Sequence, residues 1–187
     1  MRSTQSKGEG EAFERLVNEP DVLVQELKDD GVFPNSRLPL LIYRNAVRLP
    51  DTEPAEIFER LFRAHDWGGG WRNGIYPYHH YHSTAHEVLG VYSGSAKVQL
   101  GGEKGVTREI VAGDVLVIPA GVAHKNLGAK AGFGVVGAYP KGQDWDMNYG
   151  GAGERPHADE NIARVALPKM DPLYGAGGPL LQKWGAR

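Results

Sequence analysis

Between Gly74 and Gly94 the sequence gathers side chains that can donate to a cation. The chain has seven histidines, and four of them, His79, His80, His82 and His86, fall in this stretch with Glu87 directly after the last. His124 closes a second phrase, Gly113-Asp-Val-Leu-Val-Ile-Pro119-Ala-Gly121-Val-Ala-His124. Imidazole nitrogens joined by one carboxylate are a donor set that divalent first-row ions accept. Side chains alternate across a strand, so His80 and His82 share a face if they lie on one. Glu87 has the opposite parity. Ser83-Thr84-Ala85 must therefore turn the chain, so that Glu87 opens a neighbouring strand. Val88 to Tyr92 suits a strand, and Ser93-Gly94 is expected to end it. The reading is one divalent transition metal ion, Fe, Mn, Ni, Co, Cu or Zn, held by His80, His82, Glu87 and His124. His79 and His86 point away from that set if the strands are regular, and replace a ligand if they are not. Tyr76 and Tyr78 share the ligand face and are the candidate catalytic residues, to orient a substrate or move a proton.

The two phrases are similar to the two motifs of the cupin superfamily. Gly74, His80, His82, Glu87 and Gly94 fit the first motif at every position, and Gly113, Pro119, Gly121 and His124 fit the second. The closing asparagine of the second motif is missing: Gly128 stands there and Asn126 is nearest. That asparagine is not a metal ligand in the family. The flanking run His82-Ser-Thr-Ala-His-Glu-Val-Leu-Gly90 and the later Trp145-Asp-Met-Asn-Tyr-Gly150 resemble a subfamily of small single-domain bacterial cupins. The resemblance implies an all-β fold, the RmlC-like double-stranded β-helix or jelly-roll barrel, with a metal inside. It does not choose a reaction, because fold sets the site rather than the chemistry. Four protein ligands on a six-coordinate ion leave two positions for substrate or dioxygen. The leading expectation is a metal-dependent enzyme of oxygenase or isomerase type acting on a small organic molecule. The rival is a non-catalytic cupin that grips a small ligand or uses its metal to stiffen the barrel.

Composition narrows the remaining classes. The chain has 187 residues and a formal net charge of −2, with its lysines and arginines dispersed. No basic stripe marks a nucleic-acid partner. It has no cysteine, which excludes disulfides and thiolate chemistry. No apolar run approaches the roughly 20 residues of a membrane span, and the first residues lack the apolar core of a signal peptide. A cytoplasmic protein is expected, and the resemblance with the aromatic tail suggests a homodimer.

These residues need elements to position them. Residues 1–12 are expected to be disordered, and 13–187 to form one cupin domain. Its N-terminal strands and helix take 20–66, its barrel core about 70–140, and its wrapping tail 141–187. Phe13 to Val17 suggests a short helix that Pro20 ends. Val22 to Asp29 leans to strand, and Leu38 to Val47 reads as a buried strand. Pro50-Asp-Thr-Glu-Pro54 announces a helix with a capping residue and an early proline. Ile57, Phe58, Leu61 and Phe62 give that helix one apolar stripe. Trp67-Gly-Gly-Gly-Trp71 ends it. Ala96–Leu100, Val106–Val111, Val115–Ile118 and Gly132–Tyr139 read as short strands between glycine-rich turns, the pattern of a small jelly roll. Asn126 shares the parity of His124 and is a candidate to brace it. Asn161 to Leu167 suits a short helix or strand.

Overall fold

The computed structural model describes residues 15–185, so the N-terminal segment 1–12 expected to be disordered lies outside the described residues. Seven strands run in order: β1 (Val22–Leu27), β2 (Ser36–Tyr43), β3 (Trp67–Asn73), β4 (Glu87–Leu100), β5 (Val106–Val111), β6 (Val115–Ile118) and β7 (His124–Pro140). Among the described residues three helices accompany them: α1 (Pro54–Ala64), α2 (His157–Arg164) and α3 (Pro179–Gly185). The strands pair antiparallel in the order β1-β2-β6-β4-β7-β3, with β5 on the far half of β4.

Both faces of this sheet are covered, which explains the unbroken apolar runs. On β2, Leu40 and Ile42 face the barrel interior with Leu89, Val98, Leu116 and Ile118. Leu41 and Tyr43 face outward to Phe58, Leu61 and Phe62 of α1 and to Leu180 and Trp184 of α3. Helix α1 lies close because β4 carries Gly90 beneath it. A Cβ there would stand 2.4 Å from the Phe58 ring.

The structure corrects several expectations. Ser93-Gly94 does not end a strand: β4 continues through it with shifts of register against β7. Gly94 has φ +66°, and a Cβ on it would meet the Lys130 carbonyl at 2.4 Å. The pair is a bulge, which bends a long strand where two short ones were expected. Trp67–Asn73 is a strand rather than a helix terminus. Helix α1 begins at Pro54, as the proline indicates, but no side chain caps it. Arg15 and Leu16 lie in a turn, and Val17 bridges Val47, so the described part of the Phe13–Val17 segment is not helical.

The chain after β7 packs back onto the barrel. Asp171, fully buried, accepts hydrogen bonds from the Tyr43 hydroxyl at 2.6 Å and from the backbone N–H groups of Leu173, Tyr174 and Leu180. Trp67 and Trp184 donate their indole N–H groups to the carbonyls of Met170 and Pro39. Two aromatic anchors and one buried carboxylate thus pin the tail without a long regular element.

Candidate metal centre

His80 and His82 do not sit on a regular strand. The chain from Gly74 to His86 is irregular, with single bridges from His80 to His124 and from Tyr81 to Asn148. Backbone bonds in both directions tie His80 to His124, at 3.3 and 3.0 Å. Alternation still holds locally, so Tyr81 points away and is fully buried, donating to Glu154 at 3.0 Å. His80, His82 and His124 converge. One ligating nitrogen from each lies within 4.8 Å of the others, and all three residues are buried. Glu87, the first residue of β4, stands beside them. Its Oε1 is 3.5 Å from His82 Nε2, and its Oε2 is 3.2 Å from His124 Nε2.

The opposite ring nitrogens are all turned to backbone carbonyls. Nδ1 of His80 faces Tyr78 O at 3.3 Å, Nδ1 of His82 faces Asp146 O at 2.5 Å, and Nδ1 of His124 faces Val122 O at 3.2 Å. Carbonyls only accept, so each Nδ1 carries the hydrogen and each Nε2 is left to bind. This is how proteins orient histidines toward a metal. Glu87 Oε2 is buried and has no hydrogen-bond partner, an atom that a cation would satisfy. The donor set therefore fits a divalent ion.

Electrostatics agree with the geometry. Burial, helped by neighbouring His124, lowers His80 to about 3 and keeps it neutral. Burial alone would lower His82, but the Glu87 carboxylate outweighs it and the net shift is upward. Burial would raise Glu87, yet His82 and His124 hold it below the usual carboxylate range.

A cavity of about 240 Å³ reaches this group and opens at the surface. Trp71, Ile75, Leu89, Tyr139 and Met147 form its wall, with Tyr76 and Trp145 at the rim. Tyr76 is 41% exposed, and its ring meets that of His80 at 5.2 Å. Tyr78 stacks on the outer side of Tyr76 at 5.0 Å. It faces a neighbouring recess with Phe33, His79, Glu103 and Tyr149. His79 turns outward to Glu103 at 3.0 Å. His86 is buried elsewhere, accepting the Ala120 N–H and packing on Trp184. The Asn126 side chain accepts from Gly128 N–H rather than from His124, while its backbone N–H donates to the Tyr76 carbonyl at 2.9 Å.

Two residues without a role in the sequence reading complete the site. Tyr139, near the end of β7, donates its hydroxyl to Glu87 Oε1 at 3.2 Å and accepts from Trp71 Nε1–H at 3.0 Å. Asp146 holds the turn after His82. Its carboxylate accepts from Ser83 N–H and Oγ–H and from Thr84 N–H, while its own carbonyl aims the His82 ring. The run Trp145-Asp-Met-Asn-Tyr-Gly150 is the available signal for Asp146; Tyr139 is hidden in an apolar strand.

The comparisons with known proteins agree with this fold. The family described as Cupin matches residues 72–138. The uncharacterized protein YjlB of Bacillus subtilis is 45% identical over 157 residues, covering 83% of this chain and 92% of its own. The chain belongs to the cupin family. Among solved structures, the cupin resembles the dTDP-6-deoxy-D-glucose-3,5-epimerase RmlC of Legionella pneumophila, at 15% identity and TM-score 0.34. That match covers 64% of this chain and 71% of the epimerase. Procruciferin, an 11S globulin of Brassica napus, matches at 18% identity and TM-score 0.35, over 60% of this chain. The cupin spans 23% of that globulin's length.

Proposed function

We propose that this cupin binds one divalent transition metal ion through His80, His82, His124 and Glu87 and uses it on a small organic molecule, as an enzyme of oxygenase or isomerase type. The observation that carries the reading is the cavity that leads from the surface to the three imidazoles. A metal serving only to stiffen the barrel needs no such opening. When bound, the ion supplies Lewis acidity, or a place for dioxygen beside the substrate.

The chain's own residues support defined roles. The carbonyls of Tyr78, Val122 and Asp146 hold the imidazole tautomers. Burial, and then the Glu87 charge, push the Tyr139 hydroxyl upward, so Tyr139 keeps its proton and acts as a donor to Glu87, not as a base. Tyr76, at the rim, orients whatever enters, and Tyr78 braces Tyr76 from behind. Trp145 covers His82 at 5.6 Å and limits water. One observation favours the second reading, a binding protein without turnover: the wall offers no side chain with a free proton-accepting role except the ligand set itself.

The test is elemental analysis of purified variants. His80→Ala is expected to lose most bound metal, while His79→Ala retains it, because His79 faces Glu103 and not the cavity. Equal loss from both would refute the ligand set.

A further inference from the structure

The wall of the cavity bears on what it can admit. Several of its polar side chains are already engaged. Trp71 Nε1–H is given to Tyr139, and the Tyr139 hydroxyl hydrogen to Glu87. Asn73 uses its side-chain oxygen on Gly74 N–H at 2.8 Å. Among the described residues, Arg72 is the one lysine or arginine along the cavity. Its guanidinium is turned onto Glu59 at 2.6 and 2.9 Å, with Glu53 at 3.8 Å. What remains facing inward is chiefly apolar or aromatic: Ile75, Leu89, Met147 and the ring faces of Trp71 and Tyr139. The polar exceptions are the imidazole nitrogens and Glu87, together with the Tyr76 hydroxyl, the Trp145 indole N–H and the Asn73 amide, none of which carries a positive charge.

We propose that this site selects a compact ligand with one metal-directed oxygen or anionic head and an uncharged, apolar or aromatic body, and rejects ligands bearing a second charge. The inference rests on the proposed metal site. Three neutral imidazoles, one carboxylate and a divalent ion sum to a single positive charge, which one anionic head neutralises. A further carboxylate on the body would enter a pocket with no free cation to receive it, and burying an unpaired charge is costly. A neutral body finds matching apolar surface along Ile75, Leu89 and Met147 and brings no charge that needs a partner. At about 240 Å³ the cavity is smaller than most drug-sized sites, which favours a single ring or a short chain.

The experiment uses hydroxamates, which bind divalent ions through two oxygens. Isothermal titration compares benzohydroxamate, its 4-methyl and 4-carbamoyl derivatives and its 4-carboxylate, each against the full chain loaded with cobalt(II) and against the metal-free chain. The parent and the 4-methyl derivative are expected to bind the loaded protein with similar affinity, the 4-carbamoyl derivative more weakly than these, and the metal-free protein is expected to bind none of them. The carboxylate is expected to bind about tenfold or more weakly than the carbamoyl derivative of similar size. A carboxylate that binds as tightly as its neutral partners overturns the proposal, as does a loaded protein that binds none of the probes. Failure to take up cobalt at all overturns instead the metal site on which the proposal stands.

Discussion

At the scale of single residues, the centre is set by which nitrogen of each histidine is left free. His80, His82 and His124 each hold a backbone carbonyl with Nδ1, and that contact, more than strand parity, aims Nε2. The sequence therefore indicated the three imidazoles that converge, but for an incomplete reason. Alternation separated His80 and His82 from His79 and Tyr81, but the regular strand it presupposed is absent. Tyr139 was not legible, because its partner Glu87 lies 52 residues away and no local pattern encodes a hydroxyl meeting a carboxylate across the barrel. Its role can be measured. Tyr139→Phe keeps the ring and removes the proton given to Glu87, so metal affinity is expected to fall about tenfold or more while the melting temperature of the metal-free protein moves little. Competition with a coloured chelator reads the affinity; an unchanged value would leave Tyr139 as a wall residue only.

At the scale of elements, two features outside the motifs hold the site in place. The loop after β7 delivers Asp146, whose carboxylate gathers the turn Ser83-Thr84 while its carbonyl sets the His82 ring. Asp146→Ala is expected to weaken metal binding by about ten- to a hundredfold, since the turn carrying His82 loses three of its hydrogen bonds. Chelator competition again decides, and full affinity with a normal melt would count against the loop. The second feature is the contact of α1 with β4 at Gly90. Gly90→Ala places a methyl 2.4 Å from Phe58, and overpacking of this kind costs about 1–3 kcal/mol. Urea denaturation of the metal-free protein measures it; a loss well under 1 kcal/mol would mean that the helix shifts freely. The helix itself was legible from Pro54 and its apolar stripe, because both signals are local. The continuity of β4 through Ser93-Gly94 was not, since a glycine pair reads as a break until the facing Lys130 carbonyl explains it.

At the scale of the whole molecule, the tail and the barrel share one buried histidine. His86 lies between the Ala120 N–H and the Trp184 ring. Burial lowers it to about 4, with the Ala166 carbonyl opposing the shift. An unfolded histidine titrates near 6.5. Between about pH 6.5 and 4 the unfolded chain thus takes a proton that the native chain refuses. Stability from this group is full above about pH 6.5 and declines as pH falls toward 4. His86→Asn, which keeps an acceptor for Ala120 N–H, is expected to reduce the slope of the stability profile between about pH 6.5 and 5, leaving the part that the buried His80 contributes. Chemical denaturation across that range gives the slope; identical slopes would mean that another group dominates. No helix of the described residues is long and apolar enough to cross a membrane. The tail's docking was foreseeable only as a tendency of aromatic residues to find cover. Its anchor, Asp171 beneath Tyr43, joins positions 128 residues apart.

The dependence of His82 on Asp146 also orders events in time. During synthesis the three imidazoles and the glutamate leave the ribosome before the carbonyl that orients one of them, which trails His82 by 64 residues. A nascent chain can fold much of its barrel and still hold one donor loosely aimed. On the proposed metal reading, tight capture of an ion would therefore come only at the last stage of maturation, after the loop carrying Asp146 has settled.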